Sequence, residues 1–249
     1  MTPPAFTAGL AVPHGFFTRL GGVSTGPFAS LNGALSGRDD PARVAENRRR
    51  VAHWLGVASL VGLCQVHGTD VAVVDVPWSD QDRPRADAVV TRRRGVALAV
   101  VTADCAPVLF ADADAGVVGA AHAGWRGAVG GVLEATVAAL ERLGARRSRI
   151  AATIGPCIRQ PCYEVGEDVI GALGPAGEPF LLPSTRPERR LFDLAGYCAA
   201  RLVAAGVAQV FDLGLNTYAD ETRFFSHRRA MHRGEGPIGH QLSAIALPG

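Results

Sequence analysis

The chain has 249 residues, of which 48% are hydrophobic and 19% are charged, and its formal net charge is +2. This composition excludes a disordered protein and predicts one globular domain over residues 1–249. Every basic residue counted is an arginine, which excludes chemistry that needs a lysine, such as a Schiff base, a pyridoxal phosphate anchor or a P-loop.

The sequence gives no sign of a membrane or nucleic-acid partner. No apolar run reaches the roughly 18 residues that a membrane-spanning helix needs, and the first ten residues lack the pattern of a secretory signal. The dense arginine runs at 48–50 and 92–94 are typical of a solvated surface. We therefore expect a cytoplasmic protein, whose five cysteines are reduced thiols.

The first half of the chain predicts one helix followed by several strands. Asp40 and Pro41 are a typical cap and first residue of a helix, which Gly56 would end. Runs rich in β-branched residues predict strands at 60–66 and 71–76, on either side of residues 67–70. Further strands are predicted at 96–102, 108–111, 117–121 and 150–154.

Two more helices follow from apolar residues at helical spacing. The second is predicted over about 126–143, before Gly144, and the third begins after Asp193 and places Cys198 in the core. Strands interspersed with helices indicate an α/β (α+β) fold, a single domain with a mixed β-sheet and flanking helices.

A predicted hairpin brings together a cysteine and a histidine. Residues 112–115, followed by Gly116, favour a turn, and a hairpin centred there pairs residue 111 with 116 and Cys105 with His122. The two Cβ atoms would then be roughly 5 Å apart. A thiolate and an imidazole so placed can share one zinc-sized ion or form a nucleophile–base pair.

His67 is the predicted third ligand. It follows an apolar strand, in a stretch where a tight turn would present its ring at the edge of a sheet. Two histidines and one cysteine leave the fourth position of a tetrahedral ion open, which is typical of a catalytic rather than a structural metal site.

Three segments carry a resemblance to a known family: Gln65-Val-His-Gly68, Thr102-Ala-Asp-Cys105 and His122-Ala-Gly-Trp-Arg-Gly127. They resemble the signature segments of the YfiH family, also called the laccase-domain or polyphenol oxidoreductase family. The resemblance implies a fold similar to the catalytic domain of cytotoxic necrotizing factor. It also implies zinc bound by His67, Cys105 and His122.

The resemblance further implies purine-nucleoside chemistry. The implied reactions are phosphorolysis of adenosine, inosine, guanosine and methylthioadenosine and deamination of adenosine, so the partners would be a nucleoside and phosphate. A copper-dependent oxidation of phenols is also attached to the family, and copper is the alternative metal. The chain departs from the usual pattern at Asn216, where cysteine is common, and at His240, where arginine is usual.

The residues themselves favour some of these activities over others. A multicopper laccase needs several His-x-His pairs, and none of the seven histidines forms one. Deamination could use a water activated by zinc, with Asp104 either moving the proton or orienting a histidine ligand.

The remaining candidate residues concern substrates. Arg126, at the start of the second predicted helix, is the candidate phosphate ligand. Asn32 and Arg228 are candidate substrate contacts, and Trp125 either stacks on a base or packs in the fold.

Two other classes of protein stay open. One is a metal-free thiol hydrolase that acts on a cell-wall precursor, with Cys105 as nucleophile and His122 as base. The other is a non-catalytic binding module, which the concentration of reactive side chains disfavours.

Overall fold

The computed structural model describes residues 2–35 and 37–249. Within these residues the strands are β1 Ala5–Phe6, β2 His14–Phe17, β3 Ser59–Val61, β4 Val71–Val73, β5 Ala88–Thr91, β6 Val96–Thr102, β7 Ala106–Asp112, β8 Val117–Ala123, β9 Ala151–Ile154, β10 Glu164–Val165, β11 Leu181–Pro183, β12 Arg190–Phe192, β13 Gln209–Asp212 and β14 Gln241–Ala246. The α-helices are α1 Pro41–Trp54, α2 Trp125–Gly130, α3 Val132–Arg142, α4 Glu167–Gly177, α5 Leu194–Ala204 and α6 His227–Arg233.

Two large sheets carry the fold. The first has the strand order β1-β2-β14-β6-β3 and the second β13-β9-β7-β8-β5-β4. Both are mixed, since β3 runs parallel to β6 in the first sheet and β4 parallel to β5 in the second, among antiparallel pairs. A small antiparallel sheet, β10-β12-β11, completes the described strands. The predicted mixed α/β architecture is confirmed, with the strands divided among three sheets.

The core is layered as helix, sheet, sheet and helices. Val51 of α1 packs in a cluster on the outer face of the first sheet. Leu109 of β7 and Leu98 of β6 belong to a cluster between the two sheets, whereas Phe110 packs with α3 and α5 on the outer face of the second. The central strands are thus buried on both faces, which explains why their sequences are continuous apolar runs.

The helices agree with their predicted caps but not with all their predicted bounds. The side chain of Asp40 accepts a hydrogen bond from the first turn of α1, and Asp193 does the same for α5. The predicted helix over 126–143 is wrong as one element. It is divided into α2 and α3 at Gly131, whose φ of +102° is left-handed and interrupts the helix. Among the described residues, no helix has both the length and the apolarity to cross a membrane.

The register of the hairpin between β7 and β8 differs from the predicted one. Ala111 pairs with Val118, and Pro107 rather than Cys105 pairs with His122. The turn keeps its four residues but lies one position later in the chain, at 113–116, where the Asp112 carboxylate accepts a hydrogen bond from the amide of Ala115. The register is shifted by two residues, and because side chains alternate along a strand, this shift keeps His122 on the predicted face of the sheet.

The strands predicted on either side of His67 are shorter than expected and belong to different sheets. β3 pairs with β6 in the first sheet, and β4 pairs with β5 in the second. The loop that carries His67 therefore connects the two large sheets, which places it at their common edge.

Gly155, which directly follows β9 of the second sheet, lies against Phe16 of the first sheet, and this contact gives a test of the packing. A Cβ atom on Gly155 would lie 2.1 Å from Cδ1 of Phe16 and 2.9 Å from Cγ of Pro107, and the Phe16 ring is buried between the sheets. We expect Gly155→Ala to lower the free energy of unfolding by about 1–3 kcal/mol, measured by urea denaturation.

The matched control for that substitution is Gly171→Ala in α4. A Cβ atom there meets nothing within 4 Å, and alanine is the better helix former by roughly 0.5–1 kcal/mol. Equal stability of the Gly155→Ala variant and the native chain would contradict the close packing of the sheets.

Candidate metal centre

Three side chains from separate segments converge at one edge of the molecule. His67 lies in the loop between β3 and β4, Cys105 in the turn between β6 and β7, and His122 in β8. Their ligand atoms all lie within 4.8 Å of one another, and Cys105 Sγ is 3.9 Å from His67 Nε2. This is the order of spacing that one shared ion requires, since zinc bonds to nitrogen and sulfur measure about 2.0–2.3 Å.

The backbone bends sharply beside two of these ligands. His67 has a φ of +60° and Asp104 a φ of +95°, in the left-handed region that non-glycine residues rarely adopt. Hydrogen bonds hold both bends, because the amide of His67 donates to a buried carboxylate and Asp104 accepts three hydrogen bonds of its own. Strained backbone of this kind is concentrated at functional sites.

The buried carboxylate of Asp87 joins the segments that carry the two histidines. One oxygen accepts from the amide of His67 at 2.9 Å and from Nδ1 of His122 at 2.8 Å. The other accepts from the amides of Val66 and Gly68 at 3.0 and 2.7 Å. Because Nδ1 of His122 donates to Asp87, its Nε2 is free to face the other two ligands.

The sequence pattern did not single out Asp87. Its signal was an acidic residue directly before a buried strand, in Arg85-Ala-Asp-Ala88. Burial acts to raise the pKa of the Asp87 carboxyl, but the hydrogen bonds from His122 and from the amides of Gly68 and Val66 keep that pKa below its usual value. Asp87 therefore stays ionised.

Cys105 and His122 shift each other's pKa in opposite directions. Burial acts to raise the pKa of the Cys105 thiol, but the neighbouring His122 and His67 outweigh it and lower the pKa to about 6. Burial likewise opposes charge on His122, yet the Cys105 sulfur and Asp87 raise its pKa to about 9. The arrangement favours a thiolate, which is the form of cysteine that binds metals and attacks carbonyl groups.

Gly124 leaves room for the ligands. A Cβ atom at this position would lie 2.9 Å from Cδ2 of His67 and 3.0 Å from Sγ of Cys105. Any larger residue would therefore push the two ligands away from each other. The sequence His122-Ala-Gly124 thus supplies one ligand and the space for the other two.

The three ligands face a cavity of about 640 Å³. Its wall near the ligands includes the aromatic side chains of Trp125 and Tyr163 and the guanidinium groups of Arg126 and Arg228, and His240 also lines it. A cavity of this volume, with mainly apolar walls and a few convergent polar groups, is typical of a small-molecule site.

Comparison with known proteins identifies the family. The family model described as "Multi-copper polyphenol oxidoreductase laccase" matches residues 13–248. The crystal structure of Bacillus licheniformis hypothetical protein YfiH is similar with a TM-score of 0.84 and 32% identity, covering 94% of this chain and 92% of that one. The chain belongs to the YfiH family.

Other relatives cover nearly all of the chain. A Deinococcus radiodurans protein named purine nucleoside phosphorylase is 47% identical over 246 residues, which are 96% of this chain and 90% of that protein. The crystal structure of Neisseria meningitidis protein NMB0706 has a TM-score of 0.88 and 35% identity, with full coverage of both chains. The relatives support an enzyme, and the family likeness extends over the whole fold.

Asp104 has a different place in this YfiH-family site from the predicted one. Its carboxylate accepts hydrogen bonds from the hydroxyls of Thr217 and Ser226 at 2.6 and 2.9 Å and from the amide of Arg228 at 2.7 Å. Neither histidine ligand is oriented by Asp104, since Asp87 holds His122. Asp104 instead fixes the start of α6 against the turn that carries Cys105.

Asn32 also differs from its predicted role as a substrate contact. It is fully buried, and its amide donates to the Asp39 carboxylate at 2.9 Å. Its side-chain oxygen accepts from the amides of Ala34 and His240 at 3.1 and 2.9 Å. The side chain is therefore used to hold the segment behind the cavity wall.

The two arginines near the ligands differ in their freedom. Arg228 is half-buried and donates to the carbonyl of Glu164 at 2.7 Å, with its guanidinium 5.3 Å from the Tyr163 ring centroid. Arg126 is exposed, and its guanidinium lies 4.3 Å from the Trp125 ring centroid. No hydrogen bond or ion pair joins the Arg126 side chain to another residue of 2–35 or 37–249.

The donor set fits one metal ion. Two imidazole nitrogens and a thiolate suit zinc, and copper also accepts these donors. In the part of the chain that the structure describes, this is the one group of three metal-binding side chains found close together. A multicopper cluster would need several such groups, so the geometry agrees with a single ion and an open coordination position.

The role of Asp87 can be tested through metal affinity. Asp87→Asn keeps the shape of the side chain but removes the charge that holds His122, so we expect zinc affinity to fall by about 10–100-fold. The measurement is competition with a chromophoric chelator.

The control for that substitution is Asp70→Asn, an exposed residue of the same loop, which should bind zinc like the native chain. An Asp87→Asn variant with native zinc affinity would mean that the carboxylate does not support the ligands.

Proposed function

We propose that this chain is a zinc-dependent enzyme of purine nucleosides. Its main reaction would be phosphorolysis of adenosine, inosine, guanosine and methylthioadenosine, and deamination of adenosine would be a second reaction at the same site. The observation that carries the proposal is the position of the His67–Cys105–His122 cluster and the exposed Arg126 on the wall of one cavity. The name of the Deinococcus radiodurans relative, purine nucleoside phosphorylase, supports the phosphorolysis part of the proposal.

Phosphorolysis requires a site for the nucleoside and a site for phosphate. A phosphate oxygen forms a bond to C1′ of the ribose while the bond from C1′ to the base nitrogen breaks, and the base leaves with that electron pair. Arg126 would hold the phosphate, since its planar guanidinium can bond two oxygens at once. Trp125, stacked against Arg126 at 4.3 Å, would fix the direction of that guanidinium.

His67, Cys105 and His122 would hold the metal ion. Bound zinc supplies a Lewis acid that stabilises developing negative charge. The aromatic and apolar wall excludes water from the reacting bond, and Arg228, whose amide is held by Asp104, would contact the substrate across from Tyr163. Asp104 acts in this proposal through the position of Arg228, because its oxygens are already occupied.

The choice of zinc over copper follows from the number of donors. Oxidation of phenols by a multicopper oxidase needs a cluster of copper ions, whereas the described residues bring together one group of three donors. The copper-dependent polyphenol oxidoreductase is therefore the weaker assignment, although the same three donors would accept one copper ion.

A second candidate is a metal-free thiol hydrolase that acts on a cell-wall precursor. The observation in its favour is the ordered series Cys105, His122 and Asp87, which resembles a nucleophile, a base and the residue that orients the base. The lowered pKa of the Cys105 thiol, to about 6, is compatible with a nucleophile as well as with a metal ligand.

Cys105→Ser separates the two candidates. Because a hydroxyl is a far poorer zinc ligand than a thiolate, we expect the variant to lose most of its zinc and its phosphorolysis activity together. Elemental analysis and a nucleoside assay on the same preparation measure both. A variant that keeps full zinc and loses activity would favour the thiol hydrolase.

Arg126→Ala tests the phosphate site. Only phosphorolysis has an anionic co-substrate, so the variant should lose about 1.5–3 kcal/mol of phosphate binding and roughly one to two powers of ten in phosphorolysis rate, while deamination is retained. Both reactions are measured on adenosine at equal zinc content.

Two further variants complete that test. Arg126→Lys restores the charge without the planar fork, and it should give intermediate phosphorolysis. Arg142→Ala removes an exposed arginine from α3 and should leave both reactions unchanged. An equal loss of both reactions in Arg126→Ala would mean that Arg126 supports the shared site rather than phosphate.

A further inference from the structure

The cavity extends well beyond the metal centre. Ala99, Val101, Ala103 and Cys105 line it, and these alternate residues lie on one face of β6 and its continuation. Ala99 and Ala103 are roughly 13 Å apart at the rise of an extended chain. One end of the cavity is therefore at Cys105 and the other at Ala99.

The end at Ala99 is basic. Gly62 follows Val61 of β3, which pairs with Leu98, and it lines this end together with Arg48 and Arg83. We name the part of the cavity lined by Arg48, Gly62 and Arg83 the arginine end. It is made of α1, the β3–β4 loop, the β4–β5 loop that carries Arg83, and the strand floor, and the metal ligands and Arg126 are not part of it.

Arg48 is deeply buried but only weakly bonded. Its side chain is 6% exposed, yet its hydrogen bonds to the carbonyls of Gly33 and Leu60 measure 3.4 and 3.2 Å, and that to Asp80 measures 3.4 Å. All three are long for bonds from a charged donor, which are usually about 2.7–2.9 Å. A buried guanidinium normally has close partners that offset its loss of hydration.

The charges around Arg48 leave a positive balance. Burial lowers the pKa of Arg48, while the nearby Asp80 raises that pKa and the nearby Arg83 lowers it further. Asp80 is the one acidic group in the described chain that is paired with Arg48, and its side chain is 47% exposed. Asp80 is thus a distant and partly solvated partner of Arg48, and an anion inside the cavity could replace or supplement it.

The wall between the two ends also has an unused polar atom. Nδ1 of His240 is buried without a hydrogen-bond partner among the described residues. Burial lowers the pKa of His240 to about 4, aided by His122, His227 and His67, so the ring is neutral. The amide of His240 donates to Asn32, which holds it beside the Gly33 segment that Arg48 contacts.

We propose that the arginine end is an anion subsite that takes a phosphate group, at a distance from the metal centre that suits a nucleoside carrying that phosphate. Arg48 supplies a buried guanidinium with unused donor capacity, Arg83 a second positive charge, and Gly62 the space, since a Cβ atom there would lie 3.1 Å from the Arg48 guanidinium. The phosphate comes either from a nucleoside 5′-monophosphate or from free inorganic phosphate.

The inference rests on the proposed function only in placing the nucleoside near the metal ligands. The subsite is separate from Arg126, which is assigned to the phosphate that attacks C1′. Binding measurements without turnover therefore test the subsite even if the proposed reaction is wrong.

The experiment is calorimetric titration of the zinc-loaded chain with adenosine, adenosine 5′-monophosphate and inorganic phosphate. We expect the monophosphate to bind about ten- to a hundred-fold more tightly than adenosine. Arg48→Gln should remove that gain, and Arg83→Gln should reduce it. Arg49→Gln, a charge-matched control from an exposed arginine on the same helix, should keep it.

The results separate the two sources of phosphate and a purely structural role. Affinity for inorganic phosphate that depends on Arg48, without a gain for the monophosphate, would identify free phosphate as the ligand of the subsite. If Arg48→Gln does not fold, Arg48→Lys and Arg83→Gln carry the test. Two results would overturn the subsite. In the first, these variants have a lower melting temperature but the same ratio of monophosphate to adenosine affinity as the native chain. In the second, the native chain binds the monophosphate and adenosine equally, and its binding of inorganic phosphate does not depend on Arg48.

Discussion

The buried carboxylate of Asp87 is the interaction on which the site depends. A charged group without exposure to solvent loses several kcal/mol of hydration, and four donors offset that loss: three consecutive amides of the His67 loop and the ring of His122. The same oxygen binds the amide of His67 and Nδ1 of His122. One side chain therefore fixes the backbone of one ligand and the ring orientation of another, and it links the loop between the sheets to the second sheet.

The permanent positive charges of the cavity wall all come from arginine side chains, because the chain contains no lysine. Arg126 is exposed at its metal end, Arg228 is held against the Tyr163 ring, and Arg48 is buried at the other end. Guanidinium groups are planar and remain charged when they are buried, unlike an ammonium group, whose pKa shifts readily. These positions favour ligands with flat rings and anionic oxygens, and purine nucleosides and phosphate combine both features.

Local patterns predicted the elements that depend on neighbouring residues. Asp40 and Asp193 cap their helices as expected, because a side chain that accepts from the first turn needs only its own helix. Elements that extend over longer stretches differ from their predictions. The helix over 126–143 is broken at Gly131, which takes a left-handed conformation that glycine adopts readily. The hairpin register differed by two residues because the turn lies one residue later than predicted, where the Asp112 carboxylate accepts a hydrogen bond from a turn amide.

By itself the sequence determined the fold class, the strands that are apolar along their whole length, and the residue types of the site, since a thiol and two imidazoles in these segments are chemically suited to one ion. Only the tertiary structure decided how they are supported. Asp87 is one carboxylate among many in the sequence, and its importance arises from burial against amides and a ring that are about 20 and 35 residues away in the chain. The tertiary structure also gives Asn32 and Asp104 structural hydrogen bonds and leaves Arg48 weakly bonded. The partners of a buried polar side chain depend on which distant segments pack around it, and a local sequence pattern does not contain that information.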